Sequence, residues 1–152
     1  MGYNKKKRKE APCMDQTCCL ELLQRAEQAK QHAYVPYSHF RVGACILCED
    51  GRMFSGCNVE NASYGATICA ERTALTKAVS EGARTFAALA LTCDQPEPVF
   101  PCGICLQMLC EFGNFPVLIS GKDVHRYQVF MLDELIPHAF TQADLQGDRC
   151  VD

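Results

Sequence analysis

The chain is expected to fold as a single α/β domain, and three observations carry that expectation. Strand-like and helix-like segments alternate along most of its 152 residues. One strand-like run, residues 86–93, is apolar almost without a break, the pattern of a strand covered on both faces. No internal repeat or linker interrupts the series, and a composition 48% hydrophobic is enough for one core.

Each element has a local reason. Residues 15–31 place Leu20, Leu23 and Ala26 on one side of a helix, with Leu22 and Ala29 beside them. Pro36 ends that segment by pushing Val35 out of the helical region. Residues 41–48, rich in β-branched and small apolar side chains, read as a strand. Asp50-Gly51 turns the chain into a second strand over 53–59. After a turn-like stretch at 61–65, helical periodicity returns over 67–81 through Ala70, Ala74, Leu75 and Ala78, until Gly82 stops it. The apolar run 86–93 is the third strand. Pro96, Pro98 and Pro101 mark a loop into a short helix over 103–112, closed by Gly113. Residues 117–120 and 127–131 read as two last strands, and 132–136 as a short helix before Pro137. Residues 1–14 are expected to be a flexible basic tail, 15–140 the folded domain and 141–152 a C-terminal tail.

Charge and cysteine content narrow the function. The chain carries 15 basic and 18 acidic residues, net −3. Its first ten residues hold five of the basic and one of the acidic ones, so the rest has ten against seventeen, net −7. A body that acidic does not hold a nucleic-acid backbone by counterion release. The run Lys5-Lys6-Lys7-Arg8-Lys9 reads as a solvated tail in preference to a nuclear-entry signal. No apolar run reaches the ~18 residues that cross a bilayer. No apolar signal core follows the basic start, and Lys6 stands where myristoylation needs Ser or Thr. A cytoplasmic protein with reduced thiols is therefore expected, so for its twelve cysteines metal binding outranks disulfides.

The candidate metal ligands are Cys69, Cys102 and Cys105. On the expected elements Cys69 lies in the first turn of one helix, and Cys102 and Cys105 lie at the start of another. Helix N-termini lower thiol pKa values and favour thiolates. Pro101 and Gly103 supply the tight backbone a Cys-x-x-Cys chelate needs. Three thiolates leave one zinc position open, as in a catalytic site, whereas a structural zinc wants four protein ligands. Cys45 and Cys48 have the same spacing but fall within a strand, where residues three apart point to opposite faces. They are read as packing residues, and Cys18, Cys19, Cys57, Cys93, Cys110 and Cys150 as packing or surface residues. Glu71 is the candidate proton shuttle, able to swing from a helix start toward an activated water without becoming a ligand. Arg72 offsets charge, because zinc with three thiolates totals −1.

Taken together, these motifs resemble those of the small, single-domain cytidine deaminases. Pro36-Tyr37-Ser38-His39-Phe40-Arg41-Val42-Gly43-Ala44, Gly56-Cys57-Asn58-Val59-Glu60-Asn61-Ala62 and Cys69-Ala70-Glu71-Arg72-Thr73-Ala74 are similar to successive segments of that family. Pro101-Cys102-Gly103-Ile104-Cys105-Leu106-Gln107 and Glu134-Leu135-Ile136-Pro137 complete the order. The resemblance implies a three-layer αβα sandwich around a central mixed five-stranded sheet. It implies one zinc ion per subunit, held by Cys69, Cys102 and Cys105, with Glu71 passing protons to N3 and the amino group of cytosine. Phe40 would then pack on the base, Asn58 and Glu60 would bond the ribose hydroxyls, and the Ala70 backbone would meet the base's polar edge. It further implies a homotetramer acting on a small pyrimidine nucleoside, with Tyr64 and Phe140 reaching toward a neighbour's pocket. Without the resemblance, Phe40, Tyr64 and Phe140 read as core aromatics and Asn58 as a turn residue.

Two positions depart from the family pattern: Leu106 replaces its usual Arg, and Phe100 a usually small residue. The first bears on charge at the zinc, the second on pocket shape. Competing readings are a nucleoside-antibiotic deaminase of the blasticidin S type, a polynucleotide editor and a non-catalytic zinc-binding domain. The acidic body and the absence of Trp for base stacking disfavour the editor. Glu71 disfavours the non-catalytic domain, because a structural site has no use for an acid beside an open position.

Overall fold

Asp15 starts the first helix by turning its carboxylate back to accept the Cys18 N–H at 2.7 Å, satisfying a donor that a helix N-terminus leaves free. The computed structural model describes residues 15–145. Helix α1 (Gln16–Lys30) is followed by strands β1 (Val42–Cys48) and β2 (Met53–Cys57), helix α2 (Ala70–Ser80), strand β3 (Phe86–Cys93) and helix α3 (Gly103–Cys110). Strands β4 (Pro116–Ser120) and β5 (Tyr127–Met131) and the single turns α4 (Leu132–Leu135) and α5 (Gln142–Leu145) complete the order.

The strands form one sheet in the order β2-β1-β3-β4-β5. Only β3 and β4 pair in parallel. A parallel pair needs a crossover, and α3 supplies it between β3 and β4. Alternation along β1 sets the layers. Ala44, Ile46 and Cys48 join a core with Ala74, Leu75 and Ala78 of α2 and Leu106 and Leu109 of α3. Cys45 joins the opposite core with Leu22, Leu23 and Ala26 of α1, and Leu47 packs against it. The result is the expected three-layer arrangement, α1 on one face of a mixed sheet and α2 and α3 on the other. Cys45 and Cys48 lie on opposite faces as expected, and burial pushes the Cys45 thiol up to about 12, far from a ready thiolate.

Two glycines let the helices approach. A Cβ on Gly43 would lie 2.0 Å from the Ala26 carbonyl oxygen, so α1 crosses β1 directly over it. On the other face, a Cβ on Gly56 would lie 2.6 Å from the Ala74 backbone nitrogen, so α2 packs directly against β2. The second contact fixes the helix that carries Glu71 and Arg72.

The observed elements differ from expectation mainly at their ends. The second helix begins at Ala70, not near 67, because Ile68 and Val59 exchange backbone hydrogen bonds that hold the chain extended up to Cys69. Residues 64–66 form a short 3-10 turn in the stretch read as turn-like. Helix α5 falls inside the segment expected as a C-terminal tail. The basic run Lys5–Lys9 and Cys150 lie outside the described residues. Among the described residues no helix is long and apolar enough to cross a membrane.

Candidate active site

The N-termini of α2 and α3 converge. Cys69 is the residue preceding α2 and Cys102 the one preceding α3, both with extended backbone (φ, ψ of −72°, 155° and −70°, 163°). Neither side chain bonds back to its own helix, which leaves the sulfurs free to face each other. Cys69 therefore precedes the helix rather than lying in its first turn. The Cys69 and Cys102 sulfurs are 3.8 Å apart and those of Cys102 and Cys105 3.5 Å, with all three within 4.8 Å of one another. Two sulfurs at about 2.3 Å from one tetrahedral zinc lie about 3.8 Å apart, so the donor set fits that ion.

Charge around the sulfurs points the same way. A hydrogen bond from Cys105 is the largest cause that lowers the Cys69 thiol, to about 5, with Arg72 and Cys102 assisting against burial. Cys105 is pushed up in turn, by donating that bond and by its own burial. Arg72 places Nη2 3.9 Å from the Cys69 sulfur and donates from it to the Thr67 carbonyl at 2.9 Å. Its Nε is buried without a hydrogen-bond partner. A buried donor without an acceptor costs free energy, and three thiolates around a cation would offer it a stronger negative field.

Glu71 is 4% exposed, at the second position of α2. Starting the helix one residue after Cys69 brings the two side chains into one cavity wall despite a spacing that would not stack them on an ideal helix. Burial pushes its carboxyl up to about 7, with its own backbone N–H opposing and Cys69 adding to the shift. The cavity measures about 380 Å³, within the range of small-molecule sites (about 300–1,000 Å³). Phe40, Asn58, Glu60, the Ala70 position, Glu71 and Phe100 all line it.

Asn58 is no turn residue. It is buried just beyond β2, where its amide donates to the Phe40 carbonyl at 2.8 Å and accepts the Val42 N–H at 2.9 Å. Glu60 accepts the N–H groups of Tyr37 and Ser38 at 3.0 and 3.2 Å as well as the Ser38 hydroxyl. The Ser38 hydroxyl bond leads the causes that hold its carboxyl below the usual range, keeping it an anion. Tyr64 and Phe140 are not core aromatics: they are 74% and 59% exposed, and neither lines this cavity. Tyr64 stands edge-on to Tyr37, with ring centroids 5.7 Å apart. Phe140 is held by its backbone, whose N–H and carbonyl both bond the Gln107 side chain. Phe100 leans its ring on Phe130 at 5.3 Å, so one of the two departures from the family pattern does shape the cavity. Leu106, the other, is buried in the core beside α2.

The sequence does not single out Ser38, Val42, Thr67, Leu91, Cys93 or Val99, yet all six line the cavity. Ser38 carries the signal of standing two before Phe40. Cys93 ends a strand whose partner residue, Val42, faces the cavity, and pairing across strands is invisible in the sequence.

The donor set and the buried carboxyl on the cavity wall define a site suited to hydrolysis by a zinc-activated water. Comparison with known proteins takes the assignment a step further. The family model described as the cytidine and deoxycytidylate deaminase zinc-binding region matches residues 16–120. A cytidine deaminase of Sporosarcina psychrophila is 46% identical over 129 residues, covering 82% of this chain and 93% of that one. One from Halalkalibacterium halodurans is 47% identical over 125 residues, covering 82% and 95%. The crystal structure of cytidine deaminase from Burkholderia pseudomallei superposes with a TM-score of 0.76 at 41% identity, covering 84% of this chain and all of that one. The chain belongs to the zinc-dependent cytidine deaminase family, and zinc is its cofactor.

Proposed function

We propose that the chain deaminates cytidine and 2'-deoxycytidine by hydrolysis, giving uridine or 2'-deoxyuridine and ammonia. The observation that carries this reading is the buried Glu71 carboxyl on the wall of a nucleoside-sized cavity, which it shares with Cys69 and Cys102 of a cluster of three cysteine sulfurs. Cys69, Cys102 and Cys105 hold the zinc, and Arg72 offsets their charge. When bound, zinc supplies the Lewis acidity that makes a water molecule nucleophilic near neutral pH. Glu71 would take one proton from the attacking water and deliver it to N3 of the ring, then pass the remaining proton of that oxygen to the departing amino group. The C4–O bond forms, the C4–N bond breaks and ammonia leaves, with no change of oxidation state. Phe40 packs on the base, the Ala70 backbone meets its polar edge, and Asn58 and Glu60 bond the sugar hydroxyls. Asn58 and Glu60 suit that task because their bonds to the Tyr37–Val42 segment fix their direction beforehand.

The assembly is a homotetramer in which Tyr64 and Phe140, exposed in one subunit, approach a neighbour's cavity. The enzyme acts in pyrimidine salvage in the cytoplasm. Glu71→Gln tests the reading against Cys102→Ala. The first is expected to keep its zinc and lose ~10²–10⁴-fold in turnover, and the second to lose the metal itself. Near-normal turnover in Glu71→Gln would move the proton shuttle elsewhere. Stoichiometric zinc in Cys102→Ala would show that the ligand set is wrong.

A further inference from the structure

Lys30 ends α1 and is 1% exposed, an uncommon place for an ammonium. Its Nζ lies 2.7 Å from Glu27 and 3.2 Å from Asp94, and donates to the Cys93 carbonyl at 3.2 Å. Three acceptors match its three N–H groups. Asp94 in turn receives two bonds from Arg41, 2.7 Å from Nε and 3.2 Å from Nη2, the forked geometry that fixes direction as well as distance. The remaining arm of Arg41 donates to Gln31 at 3.1 Å.

The network stands directly behind the cavity. Val42 and Cys93 are the last paired residues of β1 and β3, and both line the cavity. Arg41 and Asp94 are the next residues outward, and their ion pair continues the ladder where backbone pairing stops. Side chains alternate along an extended strand. Phe40 and Val42 therefore face the cavity, whereas Arg41 faces α1. Asn58 bonds the backbone on either side of Arg41, at Phe40 and Val42. The approach to Phe40 passes through His39 at φ 55°, a conformation that residues other than glycine seldom adopt and that persists where neighbours enforce it. The wall segment is thus gripped from the front by Asn58 and from behind by Arg41.

We propose that Lys30, Asp94 and Arg41 act as positioning residues that hold Phe40, Val42 and Cys93 in register to receive the nucleoside. The inference rests on the cytidine deaminase reading above. None of the three side chains touches the reacting atoms, so loosening them weakens binding of substrate and product alike and leaves the chemical step in place.

The test uses the zinc-loaded, full-length protein and begins with Arg41→Met, because this side chain is 39% exposed and the fold does not depend on burying it. KM for cytidine and Kd for uridine are expected to rise together about three- to tenfold, with kcat within about twofold and zinc content unchanged. Arg41→Lys should recover part of the loss. In a double-mutant cycle with Asp94→Asn, the double variant should bind no worse than the poorer single variant, as expected when two residues act as one unit. Unchanged KM and Kd in Arg41→Met and Asp94→Asn, with normal wild-type turnover, would overturn the positioning role and leave the deaminase reading standing. Additive losses would likewise refute a shared network. Absence of cytidine turnover in the wild type would instead overturn the deaminase reading, and this inference with it.

Discussion

Asp94 is the residue at which the electrostatics are most open to measurement. Burial pushes its carboxyl up, yet the bonds from Arg41 and Lys30 hold it below its ordinary value of 3.8. A carboxyl lowered by folding stabilises the protein fully above its unfolded value, and that contribution is lost as pH falls through the folded one. Asp94→Asn is therefore expected to have a lower urea midpoint than the wild type at neutral pH. The gap should close as the pH drops below 3.8. A gap that stays constant into acid would mean that the ion pairs add nothing to stability. The same residues show where the sequence runs out. Nothing local in the sequence marks Lys30 for burial, because its partner Asp94 lies 64 positions away along the chain. Asn58 likewise reads as a turn former, since only the folded chain reveals the two backbone groups that its amide joins.

At the scale of elements, the close crossings at Gly43 and Gly56 govern where the site's walls sit. Any side chain at Gly56 must push α2 away from β2, since the nearest atom it would meet is backbone. Gly56→Val is expected to destabilise the protein by at least ~1–3 kcal/mol, the usual scale of overpacking, and to depress turnover by shifting Glu71. Thermal unfolding and activity measured side by side would check this, and a variant with wild-type values for both would contradict the crossing. The elements themselves were legible in the sequence. The continuous apolar run over β3, the Asp50-Gly51 turn and the periodicity of α1 each follow from local chemistry. Their ends were less so. The late start of α2 depends on a bridge between Val59 and Ile68, a contact between segments rather than a propensity. The candidate ligand cysteines could be read because Pro-Cys-Gly-x-Cys combines a metal spacing with a helix start. Cys45 and Cys48 could be set aside because the strand period parts them.

The whole molecule leaves Tyr37, Tyr64, Ile104 and Phe140 substantially exposed. Exposed aromatic and apolar side chains beyond scattered single residues mark surfaces that meet partners. The proposed homotetramer accounts for them, and it also accounts for why Tyr64 and Phe140 read as core from the sequence. An apolar side chain signals burial without saying in which chain. Sedimentation velocity is expected to show a species of four subunits. Tyr64→Ala and Phe140→Ala together are expected to weaken it and raise KM, whereas a monomer with full activity would remove both residues from the site. The central claim, that a zinc ion on three cysteines works with Glu71 on cytidine, is tested most directly by metal analysis run on the same sample as a cytidine absorbance assay. The account predicts one zinc per subunit and loss of the cytidine absorbance in step with ammonia release. A fully zinc-loaded protein that leaves cytidine unchanged over hours would contradict it.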